Sequence, residues 1–332
     1  VQGATAYSSI APMLDKSKDV AAVIIATPTH LHKDVALAAL AAGKHVYCEA
    51  PLAHSVADAK AIAAAAASAG SKVIFAVGFE GRSNPVYKLA RSFYRSESVK
   101  DAVSIEATQN TKTTWRFPAA DSAKEQAANW RLDKAVSLGL AGEWGSQAFD
   151  VAMWYTDKVP VSVRGRGSIR VHSDGREIAD TIACELAFAD GLAMQYSASL
   201  CNSYLGRYEL FRGSNAAVKL AWTHGWMFKE ADAPTQGWEV YANRQQFHND
   251  EGITLIAGAT KLAEQGKLKD GIGLPYSSTY YGLWDFVQAI ATGKPPTCDA
   301  AAALRATAVS IAAAQAVAAN SEVTIDPASP KV

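Results

Sequence analysis

The chain has 332 residues, of which 49% are hydrophobic and 19% are charged, a composition typical of a globular protein with room for two separate cores. Basic and acidic residues number 32 each, so the charge balance gives no sign of binding to nucleic acid or an anionic membrane surface. No run of 18 uncharged apolar residues occurs, which argues against a membrane-spanning helix. The cysteines are widely spaced and form no C-x-x-C pair, which predicts free thiols and no metal site: Cys48, Cys184, Cys201 and Cys298.

The first hundred residues alternate between helical and strand patterns. In chain order these are a helix around residue 10, a strand at 21–26, a helix that stops at Gly43, a strand at 45–48, a helix at 55–70 and a strand at 72–78. Polar residues follow the first two strands, as Thr27-Pro28 and as Glu49-Ala50-Pro51. The alternation predicts a parallel α/β sheet whose strand-end loops bind a ligand.

From about residue 101 the pattern changes to β-type alternation separated by turns such as Asp174-Gly175 and Asp190-Gly191, which predicts antiparallel hairpins. The predicted strands are 103–109, 161–171, 182–188, 193–200, 208–211 and 217–221. The predicted helices are 145–156, 252–267, 279–292 and 299–319. We expect an α+β domain, a mostly antiparallel sheet backed by helices, with the irregular segment 230–238 as a loop over the site.

Three segments resemble the Gfo/Idh/MocA family of NAD(P)-dependent sugar oxidoreductases. Residues 21–52 are similar to the family pattern of a hydrophobic strand, ATP-x-x-x-H, a helix, AGKHV and Glu-Lys-Pro, with Ala50 at the position of the lysine that the family uses in catalysis. Residues 143–150 resemble the family pattern D-x-G-x-H-x-x-D, with Glu143 and Gln147 at the first acid and the histidine. Residues 280–306 are similar to the family's closing segment.

The resemblance implies a partial Rossmann-type dinucleotide-binding domain at 1–100 and an α+β substrate and oligomerisation domain at 101–298. A C-terminal helix and tail, 299–332, would return to the nucleotide domain. The early residues contain no G-x-G-x-x-G turn, which a dinucleotide-binding fold carries after its first strand. We therefore expect the chain to begin after the first βαβ unit of a longer polypeptide, or else to have lost the cofactor fingerprint.

NAD or NADP is the cofactor that the resemblance implies, held by the loops after the first two strands. The cofactor-binding candidates are Thr27, Pro28, Thr29, His32, Glu49, Ala50 and Pro51. The alternative for the first loop is an ordinary helix N-terminus, with Thr29 as cap and His32 as a packed side chain.

The catalytic candidates share one face of a predicted helix. Glu143, Gln147 and Asp150 follow i, i+4 and i+7 spacing, so they either face the interdomain cleft or satisfy one another on a half-buried helix. Oxidation of an alcohol by hydride transfer needs a base for the hydroxyl proton. Ala50 cannot serve, and Gln147 cannot exchange a proton at neutral pH. The possible substitutes are Asp150, Glu143, Tyr204 and His224.

A carbohydrate or polyol is the expected partner, because aromatic and amide side chains suit sugar hydroxyls. The substrate-binding candidates are Gln109, Trp130, Arg131 and Tyr204. Three functions stay open: a sugar or polyol oxidoreductase with altered or weakened catalysis, a non-catalytic sugar-binding or scaffold relative, and an NAD-using glycosidase or lyase.

The C-terminal sheet also predicts self-association. Both side-chain sets of the strands at 182–200 contain apolar residues, Leu186 and Phe188 in one set and Ala187 and Met194 in the other. We expect sheet-to-sheet packing in a homodimer, or in a homotetramer built from it.

Overall fold

The computed structural model describes residues 3–326, in which two sheets are joined by helices. The elements of the first hundred residues are α1 (Ile10–Lys16), β1 (Ala22–Ile25), α2 (His32–Ala41), β2 (His45–Cys48), α3 (Val56–Ala69), β3 (Phe75–Val77) and α4 (Pro85–Tyr94). Helix α3 begins where the Ser55 side chain accepts the Asp58 N–H, and α4 begins at Pro85 after the cap Asn84. The α/β character and its order are those that the sequence predicts.

The small sheet is parallel, with strand order β1-β2-β3. Its register places Ile25 beside Cys48 and Cys48 beside Val77, so the three strands end level with one another. The loops that follow them therefore meet at one edge of the sheet, which is where an open α/β sheet binds its ligand.

A ten-stranded sheet carries the rest of the chain, in the order β11-β12-β10-β9-β8-β4-β7-β6-β5-β13. Its strands are β4 (Ala102–Asn110), β5 (Ser162–Ser168), β6 (Thr181–Ala187), β7 (Ala193–Ser199), β8 (Arg207–Gly213), β9 (Ala216–Ala221), β10 (His224–Lys229), β11 (Arg244–Phe247), β12 (Asp250–Thr254) and β13 (Glu322–Thr324). The β4–β7 pair is parallel and the other pairs are antiparallel, as a mostly antiparallel α+β domain requires. The accompanying helices are α5 (Ser122–Ala128), α6 (Gly145–Thr156), α7 (Ala259–Glu264), α8 (Ser278–Thr292) and α9 (Ala300–Ala319).

Helix α9 joins the two sheets. It packs on α3 of the small sheet and on β5 of the large one, and β13 after it adds a strand to the large sheet. Within residues 3–326 it is the helix with the length and apolar composition to cross a membrane, yet 56% of that apolar window is buried inside the fold. Its apolar character is that of a core helix. Residues 327–332 of the predicted tail lie outside the described residues.

Three details of the predicted C-terminal domain are wrong. Segment 252–267 is not one helix, because it forms β12 and the short helix α7. Segment 230–238 does not cover the strand-end loops: Trp238 packs on Phe93, near the C-terminal end of α4. The strands β10 to β12 are not among the predicted ones, and in β11 and β12 consecutive exposed polar residues hide the alternation.

The outer face of the large sheet is polar, which corrects the basis of the predicted dimer. Met194 lies opposite Leu186 and both are buried, so they share the core face. On the outer face, Gln195 donates to Glu185, and Arg212 and Tyr208 both bond to Glu106. A homo-oligomer through this sheet stays a prediction, and polar contacts would have to stabilise it.

All four cysteines are free, as expected.

Close packing of α9 on β5 gives the first prediction. A Cβ at Gly165 would lie 2.5 Å from the Val317 backbone nitrogen, so Gly165→Ala must move the helix. We expect a loss of about 1–3 kcal/mol in unfolding free energy, measured by urea denaturation. Gly237→Ala is the matched control, because a Cβ there meets nothing within 4 Å. Equal stability of the two variants would contradict the packing.

Candidate active site at the domain interface

The strand-end loops begin as extensions of the small sheet. The Glu49 N–H donates to the Ile25 carbonyl at 2.9 Å, and the Gly78 N–H donates to the Cys48 carbonyl at 2.8 Å. The absence of a side chain at Gly78 lets the loops approach, because a Cβ there would lie 2.6 Å from Glu49 Oε2. The loop after β2 and the loop after β3 therefore touch.

His32 ties the first loop to the second. Its ring is buried, with Nε2 at 2.9 Å from the Thr27 carbonyl oxygen and Nδ1 at 3.1 Å from that of Pro51. Burial lowers the pKa of His32, although the carbonyl contacts oppose the shift. The neutral ring has one N–H to donate, so His32 acts here as a packed connector between loops. The Ala50–Pro51 peptide beside it is cis.

Thr29 links the first loop to the second domain. Its hydroxyl donates to Glu143 Oε2 at 2.8 Å, and the other carboxylate oxygen of Glu143 accepts the Leu138 N–H at 3.2 Å. Glu143 lies in the π-helical turn Leu140–Trp144 that leads into α6. Burial raises the pKa of this carboxyl, and the bonds from Thr29 and Leu138 oppose the rise. Both oxygens are thus engaged: the Thr29 bond joins the two domains, and the Leu138 bond fixes the turn before α6.

Gln147 uses its whole amide on the loop after β3. Its Nε2 donates to the Gly78 carbonyl at 2.7 Å, and its Oε1 accepts the Glu80 N–H at 3.2 Å. Gln147 and Glu49 thus lie on either side of Gly78, which is the proximity that the two motifs predict. The amide fits this bridge because it carries a donor and an acceptor, whereas a neutral histidine offers its two nitrogens in a different geometry.

Asp150 forms a buried ion pair with Arg82. The guanidinium donates through Nε and Nη2 to both carboxylate oxygens at 2.8–3.1 Å, and the Asp150 side chain is 1% exposed. Burial works to lower the pKa of Arg82, but the Asp150 carboxylate raises it, so the pair stays charged. The geometry gives Asp150 a structural role and leaves no free oxygen to act as a base.

Glu49, Glu80 and Tyr47 converge beside Gly78. The Tyr47 hydroxyl is buried and has no hydrogen-bond partner among residues 3–326, and a Cβ at Gly78 would lie 3.0 Å from it. Glu80 Oε1 accepts a hydrogen bond from Thr279 of α8 at 2.5 Å. Burial and the nearby Glu80 charge raise the pKa of Glu49 to about 7. We call this polar cluster of Glu49, Glu80 and Tyr47, at the junction of β2, β3, α6 and α8, the recess.

The predicted substrate residues do not all gather at this recess. Gln109 lies opposite Arg207 in the β4–β8 register, on the face that packs toward α6. Trp130 lies 6.0 Å from the His30 ring, and the Arg131 guanidinium stacks over Trp130 at 4.5 Å. Tyr204 is 76% exposed on the loop before β8. Gln109, Trp130 and Arg131 thus border the interface, whereas Tyr204 faces solvent.

The remaining candidates for the base are Tyr204, which is exposed, and His224, which is engaged elsewhere. His224 bonds through Nδ1 to Thr223 and stacks on Trp226 in the β9–β10 hairpin.

Three residues of the interface escaped the sequence analysis: Tyr47, Glu80 and Arg207. A polar turn after β3 was visible and could have indicated Glu80, but Tyr47 and Arg207 sit within strands and carry no local signal.

One cluster elsewhere has metal-ligand chemistry. His172, Asp180 and Cys201 bring one ligand atom each within 4.8 Å of one another. The Asp180 carboxylate, however, accepts the backbone N–H groups of residues 170–172 and the Thr181 hydroxyl. Although burial opposes the shift, these bonds hold the Asp180 pKa below its usual range. Four donors occupy the carboxylate lone pairs, so the cluster anchors a loop.

Comparison with protein families decides the classification. Residues 1–79 match the GFO_IDH_MocA profile, described as "Oxidoreductase family, NAD-binding Rossmann fold", and residues 102–219 match the GFO/IDH/MocA C-terminal domain. The chain belongs to the Gfo/Idh/MocA family. Both halves of the family architecture are present, in the order that the two sheets show.

Individual relatives in this family are distant. Levoglucosan dehydrogenase of Pseudarthrobacter phenanthrenivorans is 26% identical over 190 residues, which are 52% of this chain and 47% of that protein. The chain thus spans about half the length of this curated relative. A levoglucosan dehydrogenase structure, in complex with NADH and levoglucosan, superposes with a TM-score of 0.73 at 20% identity, covering 96% of this chain and 83% of that one. An oxidoreductase domain protein from Kribbella flavida gives 0.74 at 23% identity, covering 96% and 84%. At these identities the structures show the fold.

The buried ion pair of this Gfo/Idh/MocA interface gives the second prediction. Asp150→Asn leaves the Arg82 guanidinium buried without a counter-charge, so we expect a loss of about 3–5 kcal/mol in unfolding free energy. Asp157→Asn is the matched control: Asp157 is 55% exposed and pairs with Arg91 and Arg95, and its loss should cost about 0–1 kcal/mol. Urea denaturation of both variants measures the difference. A loss below about 1 kcal/mol for Asp150→Asn would refute the structural role.

Proposed function

We propose that the chain acts as an NAD(P)-dependent oxidoreductase on a sugar or polyol hydroxyl, or in the linked reduction of a ketosugar, with proton transfer altered from the family pattern. The recess beside Gly78 is the observation that supports this most. It lies at the carboxyl ends of three parallel strands, faces α6, and contains a buried tyrosine hydroxyl to which no described residue bonds. A ligand that brings hydroxyl groups would satisfy that tyrosine.

The residues around the recess fit the nicotinamide-ribose end of a dinucleotide. The fit rests on the Tyr47 hydroxyl, which is unpartnered among the described residues, and on the half-buried Glu49 carboxylate, an acceptor for ribose hydroxyls. The loops that would hold it contain Thr27–Thr29 and Glu49–Pro51, and His32 positions them. The nicotinamide would supply the hydride acceptor. The choice between NAD and NADP stays open in this proposal.

The sugar would lie between these loops and the helical face of the large sheet. Gln109 and Arg207 are neighbours there, and Arg207 Nη2 is buried without a hydrogen-bond partner. Trp130 and Arg131 approach the other side of the first loop. A relative named levoglucosan dehydrogenase is consistent with an anhydrosugar or a related polyol as substrate class.

A non-catalytic sugar-binding relative is the second candidate, and one observation favours it. Ala50 carries no ionisable group, and the Gln147 amide is fully occupied by the Gly78 and Glu80 backbone. A protein that had lost turnover could keep such a bridge for stability alone.

Gly78→Ala gives the third prediction, which concerns the cofactor. The added Cβ would displace the flexible Glu49 carboxylate without meeting another backbone atom closer than 3.3 Å, so the fold should tolerate it. We expect at least tenfold weaker binding of NAD or NADP, about 1.4 kcal/mol, in isothermal titration calorimetry. Gly237→Ala should bind as the parent protein does. Equal affinity in all three proteins would exclude the recess as the cofactor site.

Turnover on a panel of sugars and polyols gives the fourth prediction. We expect NADH or NADPH to form with at least one member of the panel, followed by absorbance with NAD and NADP tested separately. Sugar binding in calorimetry without any reduced cofactor would support the scaffold alternative instead. Release of an aglycone without net cofactor reduction would favour the glycosidase or lyase reading.

A further inference from the structure

The question that the interface raises is which group takes the hydroxyl proton. The family lysine is Ala50 here, and the residue at the histidine position, Gln147, bridges two backbone groups. Asp150 pairs with Arg82, and both oxygens of Glu143 accept hydrogen bonds. Each of these groups is thus unsuited or engaged.

Glu49 is different, because its carboxylate is half-buried in the recess and, within the described part of the chain, has no ion pair and no hydrogen bond to another side chain, only one from the Ala50 backbone. It follows β2 directly and precedes Ala50, so it occupies the same strand end as the family lysine. Glu49 Oε2 and the Tyr47 hydroxyl both lie close to Gly78: a Cβ added to Gly78 would be 2.6 Å from the first and 3.0 Å from the second. Tyr47 is 1% exposed and its hydroxyl has no partner.

Glu80 sets the charge around Glu49. Burial raises the pKa of the Glu80 carboxyl, and the hydrogen bond from the Thr279 hydroxyl and the Arg207 charge oppose that rise. An ionised Glu80 and burial together raise the pKa of Glu49 to about 7. The remaining titratable or charged groups around the recess are Tyr47, Cys48, Cys298 and the Arg82–Asp150 pair. A carboxyl whose pKa is raised by burial and by a neighbouring carboxylate is a common acid–base arrangement.

We propose that the Glu49 carboxylate, with Glu80 beside it, accepts the substrate hydroxyl proton in place of the missing lysine. In this step the substrate O–H bond breaks and its proton goes to Glu49. The oxygen electron pair forms the carbonyl while the carbinol hydrogen leaves as hydride to an oxidised nicotinamide. The inference rests on the proposed oxidoreductase function and assigns its proton acceptor.

The kinetic test uses Glu49→Gln in the intact protein, with the best substrate of the panel. Loss of the proton acceptor should lower kcat by about 10²–10⁴-fold, with a much smaller change in KM. The acidic limb of the parent pH–rate profile, near 7, should disappear in this variant. Glu80→Gln removes the neighbouring charge and should move the limb to lower pH. Glu185→Gln, on the outer sheet face, is the matched control and should leave the profile unchanged.

A second readout needs no cofactor or substrate. Glu49 has a folded-state pKa of about 7 against an ordinary 4.5, so the folded state holds this proton more tightly. The resulting gain in unfolding free energy is fully present below about pH 4.5 and is lost as the pH rises through about 7. The difference between the Tm of Glu49→Gln and the Tm of the parent should therefore shift in favour of the variant by about 2–6 °C between pH 5 and pH 8.

The outcomes separate the two proposals. Normal kcat and an unchanged acidic limb in Glu49→Gln would overturn the assignment of Glu49 while leaving the oxidoreductase intact. A Tm difference that does not change with pH would also count against Glu49 as a group titrating near 7. A parent protein that oxidises no member of the panel would overturn the proposed function and this inference together.

Discussion

The position of the interdomain cleft depends on one polar helix face. Glu143, Gln147 and Asp150 lie about one turn apart, and each is bonded to a loop or turn of the small-sheet domain: Glu143 to Thr29, Gln147 to the Gly78 and Glu80 backbone, and Asp150 to Arg82. Polar groups buried at such an interface cost free energy when they lose their partners, so the pairing fixes the relative position of the domains. The strand-end loops and the large sheet face each other in the arrangement that satisfies these three side chains.

The same contacts limit the chemistry available to α6. The Gln147 amide stabilises the interface because it bridges a backbone carbonyl and a backbone N–H. The Asp150 carboxylate does so because it pairs with Arg82. Neither group is then free to take up a proton. Proton transfer then needs a group outside this set. Burial raises the pKa of the half-buried carboxyls at the ends of β2 and β3, and Glu49 in addition faces the charge of Glu80 in place of a counter-ion. Replacing a lysine by alanine at the strand end removes the cation that would have suppressed their pKa shift.

The sequence predicted the parallel sheet well because its signals are local. The apolar run before Thr27-Pro28 and the cap at Ser55 each follow from neighbouring residues, and the observed elements agree. Residues 252–267 were predicted as a helix from local pattern, but Gly225 and Asn243 provide backbone partners from other strands, and part of the segment becomes β12. Local propensity cannot report partners that lie far away in the chain.

The roles of polar residues were less predictable for the same reason. The spacing of Gln147 and Asp150 placed them correctly on one face, but only the fold shows that Gly78 and Arg82 occupy them. His32 matched a family position, yet its ring contacts two backbone carbonyls from different loops. Met194 was grouped with Ala187 and apart from Leu186, whereas the observed register pairs Met194 with Leu186 in the core. In each case a partner distant in sequence decides what the side chain does.

Hydrogen–deuterium exchange with and without NADH tests the location of the site most directly. A cofactor in the recess would cover the loops after the three parallel strands, where the backbone is only partly protected by the sheet. We expect slower exchange on NADH addition in segments 27–32, 48–51 and 78–82, and little change in 230–268 at the far end of the large sheet. Protection confined to 230–268, with exchange in the three loops unchanged, would contradict this account of the site.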